Sequence, residues 1–293
     1  MKVIRAESAG FCWGVERAIN IAEDYSEKGY QNVYTDGPLI HNNQMMEKLS
    51  QKGVQEVGSY EGQSNLSFSE REREKSVIVV RAHGIPPERR KYLKNLGLKF
   101  RDATCPDVSF IAGKIRTHDR RGYKTVIFGD AKHPEVVGLL GYTSDGGYPI
   151  KTKQDIDALP DLGEKVILVS QSTMFTHEFL ELGKYLQLTY PSAVIIDTIC
   201  GATKDRQKDL KTITEEGAEA IIVIGGQHSA NTRKLAILAR QQNLPTYHIE
   251  TAKQIDAEEM AQYQCVGVTA GASTPIFIID EVCKKLENIV PLR

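Results

Sequence analysis

Short β-branched runs recur along this chain at the spacing a parallel sheet demands. They are KVIRA (2–6), NVYTDG (32–37), SVIVVRAHG (76–84), TVIFGD (125–130), KVILVSQS (165–172), AVIIDT (193–198), AIIVIGG (220–226), PTYHIE (245–250) and CVGVTAGAS (265–273). Helix-period stretches at 14–29, 42–53, 202–217 and 231–243 fill gaps between them, each closed by Gly or Asn as helix C-termini often are. Strand, helix, strand in alternation predicts parallel α/β units. The runs are continuously apolar, as strands buried on both faces are. One segment departs from this pattern: GSYEGQSNLSFSEREREKS (58–76) is polar and then charge-dense, and reads as an exposed loop or short surface helix.

A positional repeat divides the chain. Cys12, Cys105 and Cys200 stand 93 and 95 residues apart. FRDATCPDV (100–108) and IIDTICGAT (195–203) echo each other, and SAGFCWGVE places Cys12 in the same strand-to-helix setting. This predicts three similar small α/β modules, at 1–103, 104–197 and 198–293, each delivering one cysteine from a βα-type loop. Ligands of open α/β sheets gather at the carboxyl ends of strands, so modules facing one another would bring three thiols to one centre.

Composition then removes whole classes of function. A net charge of −1 gives no electrostatic footprint for nucleic acid or a membrane surface. No apolar run approaches the roughly 18–20 residues of a membrane span, and MKVIRAESAG is not a signal peptide. The expected location is the cytoplasm. Five cysteines in such a chain argue against a disulfide framework and for metal or redox use.

Three distant thiols suit few metals. Structural zinc takes four ligands, usually in paired knuckles, and the chain has no such knuckle. Three thiolates are not the usual ligand set of catalytic zinc either. A [4Fe-4S] cube normally takes four cysteines. With three, one iron stays open and can act on a substrate oxygen as a Lewis acid. The competing reading makes each cysteine a separate small core residue. That reading is kept for Cys265, which begins an apolar strand, and for Cys283, on the apolar face of PIFIIDEVCKKLENI.

Four of the seven histidines stand at turns just past strand-like runs: His41, His83, His133 and His228. A lone loop histidine is commonly a surface residue. Four at comparable positions would supply N–H donors to an anion. GGQHSANT (225–232) adds close-approaching glycines and a helix start with Ser229 and Asn231, the local chemistry of phosphate binding. TAGASTP (269–275) and VSQSTMF (169–175) repeat the hydroxyl-rich strand end, although simple capping explains each alone. No G-x-x-x-x-G-K-[ST] loop or convincing G-x-G-x-x-G fingerprint is present, so a phosphate or diphosphate is favoured over a nucleotide. Glu135 follows His133 across a proline. It is either a first-turn carboxylate favoured by the helix dipole or a proton donor whose burial would raise its pKa.

GFCWGVERA, GPLIHN, AHG, DATCP, HPEVVG, SQST, DTIC…AT…RQ, SANT and TAGAST form an ordered set. In that order they resemble the 4-hydroxy-3-methylbut-2-enyl diphosphate reductases, the IspH/LytB family, from end to end. The resemblance implies a trefoil of three α/β domains around a central iron–sulfur cluster, with Cys12, Cys105 and Cys200 as its ligands. It implies that His41, His83, His133, Ser229, Asn231 and Ser273 line a diphosphate pocket and that Glu135 is the proton source. Ser172 stands where the family carries a Thr beside the substrate hydroxyl, and Ala230 where it carries a second Ser. His228 has no counterpart in the family pattern.

The implied reaction removes the allylic hydroxyl as water and yields isopentenyl and dimethylallyl diphosphates. The chain has no flavin or nicotinamide motif, so electrons would come from reduced ferredoxin or flavodoxin. Two rival enzymes are an iron–sulfur hydro-lyase, which needs no supplied electrons, and a paralogue acting on another hydroxylated phosphorylated compound. An iron–sulfur sensor would want a DNA-binding element or basic face, and the sequence has neither.

Overall fold

The computed structural model describes residues 1–58, 65–227 and 229–292. Among these residues lie three four-stranded sheets, and every strand pair is parallel. The first runs Val54–Val57, Asn32–Asp36, Ser76–Val80, Lys99–Asp102 from edge to edge. The second runs Tyr148–Ile150, Lys124–Phe128, Val166–Ser170, Val194–Ile195. The third runs Thr246–Ile249, Ala220–Ile224, Cys265–Ala270, Lys2–Arg5. The expected three parallel α/β modules are therefore present.

The first strand is not where the sequence placed it. Lys2–Arg5 was expected within residues 1–103, yet it pairs with Cys265–Ala270 in the third sheet. The reason lies in the repeat. In each sheet the strand leading to a cysteine takes the far edge, beside the third strand of its module. A module therefore runs from the helix after one cysteine to the next cysteine, and the N-terminal strand completes the last one. The 93- and 95-residue spacing gave the period but left its phase open.

All nine apolar runs form strands. Three further strands, Val54–Val57, Lys99–Asp102 and Tyr148–Ile150, are half-exposed edges. Glu70–Lys75 is a short helix with no buried residue, capped by Ser69 and Glu72 in a reciprocal box. Part of the 58–76 segment lies outside the described residues, as does His228.

By chain contact the molecule divides into two units. The larger, residues 17–39 and 47–200, contains the first two sheets. The smaller, residues 1–16, 40–46 and 201–293, contains the third. Strand alternation packs the second sheet on both faces. Val126, Phe128 and Leu168 meet Phe179, Leu182 and Leu186, while Ile127, Ile167 and Val169 meet Ile111, Ile115 and Leu139. Each such buried side chain contributes about 1.5–3 kcal/mol. In the smaller unit, Ile222, Val223, Val266 and Val268 share one core with Leu210, Ile213, Ile279 and Leu286. Both sheets are thus rigid supports, and their strand ends can hold side chains in fixed places. Among the described residues no helix is long and apolar enough to cross a membrane.

Candidate active site

The candidate residues occupy two kinds of turn, each built three times. The turn after the third strand of a module spans 81–84, 171–174 or 271–274. It closes by an amide-to-carbonyl bond across three residues: Gly84 to Arg81 at 3.1 Å, Met174 to Gln171 at 3.3 Å, Thr274 to Gly271 at 3.0 Å. The carbonyl of its second residue accepts the amide of a cysteine. Cys105 donates to Ala82 at 2.9 Å, Cys200 to Ser172 at 3.0 Å and Cys12 to Ala272 at 3.0 Å. His83, Thr173 and Ser273 therefore hold equivalent third positions.

The turn after the first strand begins with a glycine whose amide bonds the adjacent edge strand. Gly37 donates to Val57 at 3.0 Å, Gly129 to Ile150 at 3.0 Å and Gly225 to Ile249 at 2.9 Å. Each turn ends at a helix N-cap. Asn42 Oδ1 accepts from Met45 N at 2.8 Å, His133 Nδ1 from Glu135 N at 3.2 Å, and Ser229 Oγ from Thr232 N at 3.3 Å. Gln44, Glu135 and Asn231 follow at equivalent second helical positions.

Within the larger unit, Glu135 is 1% exposed. Its Oε1 accepts the Ser172 amide at 2.6 Å and its Oε2 the Ser172 hydroxyl at 2.7 Å. A hydroxyl can donate or accept, so the second bond can carry a proton in either direction. Since His133 Nδ1 accepts an amide, the ring's Nε2 is left as the donor. His83 meets the His133 ring edge-on, with centroids 5.6 Å apart. Gln171, which the sequence reading passed over, joins the two turns. Its Oε1 accepts from Asp130 N at 3.1 Å, and its Nε2 donates to Thr173 Oγ1 at 2.9 Å. The SQST motif pointed to this strand end, but only Ser172 was singled out.

Within the smaller unit, Ser273 donates its hydroxyl to the His41 carbonyl at 3.2 Å. The same carbonyl lies 3.5 Å from where a Cβ on Gly226 would stand, in ordinary contact with that turn. Ser229 donates its amide to Gly226 at 3.0 Å. These contacts link His41, Ser273 and Ser229. Asn231, beside them, has a buried Nδ2 with no hydrogen-bond partner among the described residues. A buried donor left unmatched is costly and marks a place where a ligand acceptor fits.

The thiols divide into two kinds. Cys12, Cys105 and Cys200 are half-buried, and none of the five cysteines is in a disulfide. Each of the three immediately precedes or caps a helix: Trp13–Glu27, Pro106–Asp119 and Gly201–Glu215. A helix N-terminus favours negative charge, which suits a thiolate donor. Cys265 and Cys283 are buried in the core of the smaller unit, and that burial pushes both thiols up. They are core residues. Among the described residues no three His, Cys, Asp or Glu side chains stand together as ligands of a single metal ion. Soft sulfur donors at three helix starts are the donor chemistry of an iron–sulfur cluster.

In each unit, strand-end turns of a parallel α/β scaffold carry a chemically equipped cluster: thiols and an acid–hydroxyl pair in the larger, a thiol and polar donors in the smaller, the equipment of an α/β enzyme. The LytB protein family matches residues 3–287, and the chain belongs to that family. The 4-hydroxy-3-methylbut-2-enyl diphosphate reductase of Opitutus terrae is 62% identical over 290 residues, covering 99% of this chain and 100% of its own. The enzyme of the same name from Aquifex aeolicus is 38% identical over 291 residues, covering 98% and 96%. A solved structure of (E)-4-hydroxy-3-methyl-but-2-enyl diphosphate reductase, described as the terminal enzyme of the non-mevalonate pathway, is 37% identical. It covers 99% of this chain and all of its own, with a TM-score of 0.72. The Plasmodium falciparum E-1-hydroxy-2-methyl-but-2-enyl-4-diphosphate reductase has a TM-score of 0.86 at 24% identity, covering 99% and 91%, and shares the fold.

Proposed function

We propose that this chain reduces 4-hydroxy-3-methylbut-2-enyl diphosphate to isopentenyl and dimethylallyl diphosphates, the last step of the non-mevalonate route to isoprenoids. Family membership supports the reaction. The observation that carries its chemistry is the buried Glu135–Ser172 pair. Its Ser172 lies on the turn whose carbonyl accepts the Cys200 amide, which supports a proton role beside that thiol.

Cys12, Cys105 and Cys200 hold a [4Fe-4S] cluster with one iron left open. When bound, the cluster supplies the electrons and a Lewis-acidic metal corner for the hydroxyl oxygen. His41, His83, His133, Ser229, Asn231 and Ser273 bind the diphosphate through N–H and O–H donors. Ser172 orients the substrate hydroxyl. Glu135 delivers through it the proton with which that hydroxyl leaves as water. The reaction breaks one C–O bond, takes up two electrons and two protons, and places the second proton on carbon. The electrons come from a reduced ferredoxin or flavodoxin, and the enzyme works in the cytoplasm with no nucleic-acid or membrane partner.

Anaerobic turnover with a reduced dye, followed by product analysis, tests the reading. Both C5 diphosphates should form, and only when electrons are supplied. Water loss without added reductant would replace the reductase by a hydro-lyase.

A further inference from the structure

The three cysteine loops differ in how they are held. Cys105 follows its strand by three residues and Cys200 by five, whereas Cys12 follows Lys2–Arg5 by seven. The two shorter loops carry their own anchors. Asp102 Oδ1 accepts the Thr104 amide at 3.0 Å and hydroxyl at 2.6 Å, one residue before Cys105. Thr198 Oγ1 donates to Ser170 O at 2.7 Å and accepts from Ser170 N at 2.8 Å, two residues before Cys200.

The longest loop is held from elsewhere. Arg206 is 3% exposed, and its Nη2 donates to the Gly10 carbonyl at 2.6 Å, two residues before Cys12. Its Nε donates to Ala270 O at 3.2 Å and its Nη1 to Ala202 O at 2.8 Å. One planar fork thus ties the Cys12 loop to the strand that ends at the 271–274 turn, where the Ala272 carbonyl receives the Cys12 amide. Asp209, three residues on and on the same helix face, accepts the Ser8 amide at 2.8 Å and hydroxyl at 2.5 Å. Both residues belong to Gly201–Glu215, the helix that starts directly after Cys200. Long loops lose more entropy on closing, so this loop has the most to gain from a brace.

We propose that Arg206 and Asp209 are positioning residues that hold the Cys12 loop in its ligating form. The ligand part rests on the cluster reading above; the brace itself does not. Two residues of one helix hold the Cys12 loop, whereas the Cys105 loop is held by Asp102 and by Arg17 Nη1 on the Thr104 carbonyl at 3.3 Å, and the Cys200 loop by Thr198 on Ser170.

Per-cysteine alkylation rates of the reduced, metal-free full chain, read by mass spectrometry, test the brace. Arg206→Met should raise the Cys12 rate about tenfold, through lost charge-assisted hydrogen bonds and local opening. The Cys105 rate should not change, and Arg206→Lys should fall between. Asp209→Asn, a milder change, should raise Cys12 alone by a smaller factor and serves if Arg206→Met does not fold. An unchanged Cys12 rate overturns the proposal, as does an equal rise at all three cysteines, which marks general loosening. Iron and sulfide content and the low-temperature EPR spectrum after anaerobic reconstitution read the ligand part. Less iron and an altered spectrum in the Arg206 variants support it. A selective rise in Cys12 labelling with normal iron and spectrum keeps the brace and overturns Cys12 as a ligand.

Discussion

At the second helical position after the first-strand turn, one module carries Glu135 and another Asn231; at the second residue of the facing turn they carry Ser172 and Ala272. The backbones around these positions bond alike, from glycine amide to N-cap to cysteine amide. In the larger unit the pair is an acid and a hydroxyl in contact at 2.7 Å. In the smaller unit the carboxamide keeps a buried N–H unmatched among the described residues, and Ala272 stands at the position of Ser172. On the proposed function, changing two side chains on one scaffold gives one module the proton-handling pair and the other an additional anion donor.

Glu135→Gln gives the largest expected effect on this contrast. Glutamine keeps the shape and can still accept the Ser172 amide, so the fold and iron content should hold. Turnover should fall about 10²–10⁴-fold, the usual worth of a general acid. Steady-state kinetics beside an iron assay decide it. A variant with full turnover would show that the acid–hydroxyl pair is only structural, and the modules would then not differ in task.

The contrast was only half legible in the sequence. Six of the nine apolar runs are inner strands, apolar throughout most of their length because both faces are covered. VQEV, KFRD and YPI are edge strands too short or too polar to show an apolar run, whereas the edges Lys2–Arg5, Val194–Ile195 and Thr246–Ile249 lie within β-branched or aromatic runs. The cysteine spacing gave the threefold repeat, yet the partner of Lys2–Arg5 is a long-range choice that no local pattern encodes. Glu135 and Ser172, 37 residues apart, meet because Lys124–Phe128 and Val166–Ser170 pair in register, with Phe128 opposite Ser170. Arg206 falls in the AT…RQ motif without a task and Asp209 reads as an ordinary polar residue of a helix; only the fold brings them to the Cys12 loop.

Asn231→Ala sharpens the other half of the comparison. Removing a buried N–H that has no partner relieves a penalty in the ligand-free protein. Thermal stability should therefore hold or rise slightly. KM should climb about tenfold, since a hydrogen bond to a charged ligand is worth about 1.5–3 kcal/mol. A drop in melting temperature with KM unchanged would make Asn231 a structural residue and leave the anion to other groups. Ala230→Ser adds a hydroxyl one residue away, at the start of the same helix, and should lower KM by a smaller factor.

The smallest expected effect separates the turns by charge. Asp130 follows Gly129, and its counterpart after Gly225 is Gly226, which has no side chain to titrate. Asp130 Oδ1 accepts the Lys132 amide at 3.1 Å and lies 3.2 Å from Lys151 Nζ. Burial pushes this carboxyl up, but the Lys132 amide and Lys151 outweigh burial and hold it below the usual range. A carboxyl held low in the folded state contributes stability at neutral pH, which is lost as pH falls through the folded value. Replacing it by Asn should therefore lower the melting temperature near neutrality and make no difference in acid, once both states bind the proton. The side chain is 45% exposed, so solvent keeps the effect under about 1 kcal/mol, and salt should shrink it further. Melting curves of wild type and Asp130→Asn across the acid range measure the two slopes. Parallel curves would mean that Asp130 supports the turn by its shape and hydrogen bonding, and that charge does not distinguish it from the turn at Gly226.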